Sequence, residues 1–404
     1  MTIEKPFKKG ADFERLRKVI MRESGTGPVP IIELGADTEI MAKVSGFDFP
    51  LPRAKDPIAS YISHAQMAFD YKDLQTALRP DLVKLFLQLP EAVREELLLS
   101  IKMIDLSLAY SVAVGYDYVT AYPIVPLQRT LPRSAGNPQQ PGTMRNWQDE
   151  HQGIITNREE FERYPWPSVD KINLFPIEYL ADKLPEGMKI MVFYFGIFED
   201  IRALMGFENM AIKSIEQPEL LDDILEQLTI IAESAVSKCA EHPAVGAIFY
   251  GEDMGFNTSL MLSPKFMRKY VIPRHKRIAD ACHKHNKPFL FHSCGDIDVL
   301  MNDLIEEVGI DAKHSFQDNI MPVEEVYKKY GDKVAILGGV DVDLLARGTV
   351  EQVRKRTREI LEVCGTGGGF AIGSGNSVTN FCKIENYYAM LDETRKWNEE
   401  HGWK

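Results

Sequence analysis

Cysteine is scarce, with five in 404 residues, too few and too scattered for a disulfide framework. They read as reduced thiols of a cytoplasmic protein. Cys239, Cys282, Cys364 and Cys382 fall where helices or helix ends are expected, and a lone cysteine there is a small buried hydrophobe. No cluster of Lys and Arg exists and the net charge is −12, which argues against nucleic-acid binding, since phosphate contacts need grouped cations. No apolar run approaches the roughly 18 residues that span a bilayer. The N-terminus, "MTIEKPFKKGADFERLRKVI", is charged throughout and lacks a signal-peptide core. Neither a membrane nor export is therefore expected. There is no G-x-G-x-x-G after a first strand, so a dinucleotide fold has no support. No repeat, low-complexity tract or linker marks a domain boundary. What remains is 45% hydrophobic and 26% charged, the composition of a globular protein with a large core.

Residues 1–110 read as a mainly helical extension packed on the remainder of the chain, with "PVPIIELG" as a short strand within it. From residue 111 a rhythm begins. "YDYVTAYPIV", "KIMVFYFGIFED", "AVGAIFYGEDMG", "KPFLFHSCGD", "IDAKHSFQD", "KVAILGGVD" and "GGFAIGSGNS" read as strands, separated by amphipathic helices. In "TVEQVRKRTREILEVCG", Thr349 is the expected N-cap and Gly365 the stop. Strands alternating with helices imply a parallel sheet, and strands apolar almost throughout imply that both faces are covered. The expectation is an α/β fold, a (β/α)8 TIM barrel over residues 111–404.

In such barrels chemistry lies where the strands end. The ends here carry Tyr122; Phe195 and Glu199; Glu252 and Asp253; His292, Cys294 and Asp296; His314, Gln317 and Asp318; Asp341; and Ser374 and Asn376. Singly each has a plain explanation. Asp296 and Asp341 suit helix N-caps, and His314 suits a satisfied core histidine. Together they are more than packing requires. Tyr122, Phe195 and Phe256 would form an apolar wall, and Asp341, Ser374 and Asn376 polar substrate contacts. The sharpest signal is His292 and Cys294. Residues two apart on a strand face the same way, and imidazole and thiolate are favoured zinc ligands. Two ligands do not hold a metal, and the further candidates are His314, Glu252 and Asp253.

"GEDMGFNTSLMLSPKFMRKYVIPRHKRIADACHKHNKPFLFHSCGDIDVLMNDLIEEVGIDAKHSFQD", with "LGGVDVDLLARGTVEQVR" and "GSGNSVTNF", resembles the uroporphyrinogen decarboxylase superfamily, in its decarboxylase-like branch. The resemblance covers nearly the whole chain and implies a (β/α)8 barrel. The superfamily includes corrinoid-dependent methyltransferases, which bind zinc through an H-x-C pair, an acidic residue on the next strand and a later cysteine. His292 and Cys294 match the pair. "AKHSFQD" offers His314, Gln317 and Asp318 for the next position, and Ser374 stands where the later cysteine is expected. Either zinc or another divalent ion is held differently here, with His314 or a carboxylate stepping in, or no metal is held.

Decarboxylation of a porphyrinogen is poorly served. The R-x-x-G-R type segment is replaced by "PIIELGADTEI", with Glu33 and Asp37, and the first strand ends in "VTAYPIV" with no acid. The resemblance implies instead a methyltransferase that takes a methyl group from a small donor, such as a methyl aryl ether (O-demethylation) or a methylamine, to cobalamin on a corrinoid protein. Glu252, Asp253 and His314 would be catalytic. The corrinoid would belong to a separate partner, since this chain has no D-x-H-x-x-G motif, and the superfamily's habit implies a homodimer. Two rivals stand beside this reading. One is a decarboxylase or other lyase on a different carboxylated substrate, with His292 or His314 as the acid. The other is a non-catalytic ligand-binding barrel.

Overall fold

The computed structural model describes residues 10–23, 27–49, 91–129, 133–135, 145–147 and 153–403. Each of the seven expected strands forms: β1 (Tyr118–Ala121), β2 (Lys189–Phe195), β3 (Val245–Asp253), β4 (Phe289–Cys294), β5 (Ala312–His314), β6 (Ala335–Leu337) and β7 (Phe370–Ala371). They pair in chain order, every ladder parallel, in one curled sheet. Each helical crossover thus delivers the next strand to its neighbour's side. Their apolar character follows from burial on both faces, and every residue of β3 before Asp253 is buried. The helix Val350–Cys364 carries the expected signals, a capping box from Thr349 and a C-cap at Gly365.

Between β7 and β1 lies the "PVPIIELG" segment. It forms no extended ladder, only a parallel bridge from Ile31 to Ile372, with the Ile32 amide donating to the Ile372 carbonyl at 2.8 Å. On its other side the Tyr118 hydroxyl of β1 receives the Glu33 amide at 2.7 Å and donates to the Glu33 carbonyl at 2.8 Å. This stretch therefore joins the two end strands of the sheet. Of the N-terminal helices, Phe13–Ile20 rests on β6 and β7, Thr38–Ser45 on Glu91–Val114, and Glu91–Val114 on β1. The rest of the expected extension, residues 1–9, 24–26 and 50–90, lies outside the described residues.

Two features depart from the sequence reading. A separate antiparallel pair, Arg133–Ala135 with Arg145–Trp147, sits in the crossover from β1 to β2. In addition, Leu97–Val114 is long and apolar enough to cross a membrane by length and composition, against the expectation that no segment is. Polar residues interrupt this stretch. Its Asp105 accepts from Tyr179 at 3.1 Å and pairs with Lys183 at 2.9 Å, tying the helix to the helix Phe175–Ala181 and its C-terminal turn.

Candidate active site

Strand register builds the site. β3 and β4 align Asp253 with Cys294, and β4 and β5 align His292 with His314. Because alternate residues share a face, four side chains converge where these strands end. The Cys294 sulfur lies 3.4 Å from His292 Nε2, and an Asp253 carboxylate oxygen lies 3.7 Å from the same nitrogen. Asp253 also accepts from the Cys294 backbone N–H at 3.3 Å. The ligating atoms of the three residues all lie within 4.8 Å of one another.

A carbonyl group sets the proton positions. The backbone oxygen of Ser374 can only accept, so His314 Nε2, 3.4 Å away, carries the hydrogen. Burial pushes the pKa of His314 well below its ordinary value and lowers that of His292, so both rings are neutral. His314 Nδ1 is then an acceptor, and His292 Nδ1, at 2.8 Å, donates to it. The lone pair of His292 Nε2 is left facing Cys294 and Asp253. Burial, then the Asp253 carboxylate, push the Cys294 thiol pKa up. An imidazole lone pair, a sulfur and a carboxylate meeting at one point form an electrostatic setting for a cation. Tetrahedral zinc with bonds of about 2.0–2.3 Å sets its N, O and S ligands roughly 3.3–3.7 Å apart. The 3.4 Å N–S separation is close to that geometry, and the 3.7 Å N–O separation is a few tenths of an ångström wider than two such bonds would set.

Second contacts steady these groups. Asn376 Nδ2 donates to the Cys294 sulfur at 3.1 Å. Gly338, at φ +91°, lets the chain pass closely here, since a Cβ there would lie 2.6 Å from the Ser374 oxygen and 3.0 Å from the His314 ring. Tyr122, Phe195 and Phe256, expected to line the site as an apolar wall, are exposed. The Tyr122 and Phe195 rings stand 6.2 Å apart, and Phe193 packs against both. Phe249 continues the path to the edge of His314, at 5.6 Å. Phe256 packs on Phe207 instead.

Three expected site residues do other work. Glu252 falls on the opposite face of β3 from Asp253. Its buried carboxylate accepts from the Phe198 and Glu199 amides at 3.1 and 3.0 Å, capping the helix Ile197–Met205, and pairs with buried His275 at 2.8 Å. Asp341 caps the helix Val342–Arg347 through the Asp343 amide and also accepts from the Asp318 amide. The Ser374 hydroxyl contacts the Glu33 carboxyl group and the Asn376 carbonyl.

Sequence reasoning assigned no site role to Phe193, Phe249, Glu33 or Lys313. Phe193 shares strand parity with Phe195, and Phe249 with Asp253, which was a usable signal. Glu33 was visible as an acid inside an apolar run. Lys313 was visible as a cation within a strand. It is buried with Nζ on the carbonyls of Ser293, His314 and Ser315, and burial lowers its pKa to about 7.

The sequence profile of the uroporphyrinogen decarboxylase (URO-D) family matches residues 153–397. The chain belongs to that family. Within it, the chain is 32% identical over 177 residues to a methylated-thiol–coenzyme M methyltransferase of Methanosarcina mazei, a stretch covering 42% of this chain and 45% of that relative. The aligned region thus spans less than half the relative's length. Among solved structures, a methyltransferase from Methanosarcina mazei superposes with a TM-score of 0.61, covering 96% of this chain and 99% of that one at 16% identity, a likeness of fold.

Proposed function

We propose that this protein is a methyltransferase that moves a methyl group from a small methylated donor to a corrinoid protein, assisted by a divalent metal, zinc by preference, held by His292, Cys294 and Asp253. The observation that carries the reading is the convergence of His292 Nε2, the Cys294 sulfur and the Asp253 carboxylate, with exposed Tyr122 and Phe195 joined to it through Phe193 and Phe249. A relative named for methylated thiols adds that donor class to methyl ethers and methylamines. The same reading takes residues 29–33 as the eighth position of a closed (β/α)8 barrel, with the preceding and following helices as additions packed around it.

A bound divalent ion would supply Lewis acidity, polarising a donor heteroatom as its bond to methyl breaks. The chain's own residues do the rest. His314 holds His292 in the tautomer with Nε2 unprotonated, and the Asn376 amide stabilises Cys294 as thiolate. Tyr122, Phe195 and Phe193 offer an apolar surface to the methylated group and leave the mouth open to a macromolecular acceptor.

The test is to measure bound metal in the purified protein. The protein is then incubated with cob(I)alamin and, separately, a methyl aryl ether, a methylamine and a methylated thiol, while the methylcobalamin spectrum is followed. Metal near one per chain and methyl–cobalt formation with one donor class are expected. Silence with all three donors, with carbon dioxide released from a carboxylated substrate, would instead establish a lyase.

A further inference from the structure

The buried Glu33 has no part in the methyl-transfer mechanism, yet it is coupled to every arm of the site except Asp253. Its Oε1 accepts from the Ser374 amide at 2.8 Å, and its Oε2 contacts the Ser374 hydroxyl. That hydroxyl also lies 3.1 Å from the Asn376 carbonyl, which can only accept. A serine hydroxyl has one hydrogen. If it goes to Asn376, the Glu33–Ser374 hydrogen bond must be made with a hydrogen from Glu33. Burial favours this arrangement, because Glu33 is 2% exposed and its side-chain hydrogen-bond partners, the Ser374 amide and hydroxyl, are uncharged. The close approach is built in: a Cβ at Gly373 would overlap the Ile32 carbonyl oxygen, so residues 373–376 lie directly against 32–33. From this loop, the Ser374 carbonyl holds His314 and the Asn376 amide holds the Cys294 sulfur.

We infer that Glu33 is a positioning residue, a neutral carboxylic acid that clamps loop 374–376 and through it orients both His292, by way of His314, and Cys294. The inference rests on the metal-binding reading of the site. Burial raises the Glu33 carboxyl pKa to about 8, in accord with the hydrogen count. Glu33 engages the hydroxyl of Ser374, which therefore leaves coordination to His292, Cys294 and Asp253.

The experiment is titration of the metal-free full chain with Co2+, following the thiolate-to-cobalt charge-transfer band and the apparent affinity. Glu33→Gln is expected to match wild type within about twofold, since an amide can donate to Ser374 Oγ and accept from Ser374 N. Glu33→Ala is expected to weaken cobalt binding by about 10–100-fold, the usual loss when an outer-shell partner is removed, and to alter the band. An unchanged band and affinity in Glu33→Ala overturns the proposal. So does a Glu33→Gln variant as damaged as Glu33→Ala, because a charged carboxylate is then required. Should Glu33→Ala not fold, Ser374→Ala removes the gripped hydroxyl instead, and wild-type binding in that variant overturns the proposal. A wild-type protein with no cobalt–thiolate band overturns the metal reading and this inference together. That failure is recognised by wild type itself being silent.

Discussion

His292 and His314, on neighbouring strands, meet Nδ1 to Nδ1 at 2.8 Å, so one ring fixes the proton of the other. The pair turns a histidine that sequence alone could place in the core into the outer support of a ligand. His314→Ala should therefore leave His292 free to rotate and flip tautomer. Metal affinity is expected to fall about 10–100-fold, or roughly 1.4–2.7 kcal/mol, with the fold retained. Competition against a chromogenic chelator measures it, and an unchanged affinity would remove His314 from the site.

Cys294→Ser and His292→Ala each delete a direct donor. Both variants should purify with well under a tenth of the wild-type metal content and show no methyl transfer. The wild-type protein should lose activity in a strong chelator and regain it with Zn2+. Elemental analysis alongside the assay decides. Full activity in chelator with no bound metal would mean that Cys294 only packs.

Glu252 separates structure from catalysis. Glu252→Ala leaves His275 and two helix-start amides buried without their acceptor. Removing one partner of a buried pair costs about 3–5 kcal/mol. Denaturant unfolding should show a loss of that order, while the folded fraction keeps its metal. A stable variant that has lost only methyl transfer would restore Glu252 as a catalytic acid.

The pH dependence of stability reports on Glu33. Its carboxyl pKa moves from 4.5 to about 8 on folding. Below about pH 4.5 it is protonated in both states. Between there and pH 8 folding must take up a proton, so its contribution falls as pH rises, at about 1.4 kcal/mol per unit, and levels off above 8. The neighbouring Tyr110, Tyr116, Tyr118, Tyr387 and Cys382 all have pKa values pushed upward by burial and stay neutral over this range. Glu33→Gln does not titrate. Wild type should therefore lose a few kcal/mol relative to this variant from pH 5 to 8. A flat difference would show Glu33 ionised in the native state.

The strands and their order were legible because each is a short apolar run bounded by Gly, Pro or charge, and burial on both faces writes itself into composition. His292 and Cys294 were legible for a related reason: the period of a strand is two, so H-x-C states a shared face without a structure. The same parity argument could have excluded one of Glu252 and Asp253, since adjacent strand residues face opposite ways, but it does not say which of the two faces the site. Register with β4 decided that, by setting Asp253 beside Cys294. Asp341 was ambiguous for the opposite reason. A carboxylate after a strand can serve a helix or a ligand equally well, and only the position of the Asp343 amide resolves it.

The sequence by itself thus determined periodicity, and periodicity determines elements, their parallel arrangement and the residues that share a face. Tertiary structure alone decided which distant residues complete that face. Glu33 and Ser374 are 341 positions apart, and nothing local in either marks the other. They meet because the sheet curls until the segment beside its first strand reaches the end of its last. The meeting is stable because burying a carboxyl group is costly unless it keeps its proton and finds partners for its hydrogen bonds.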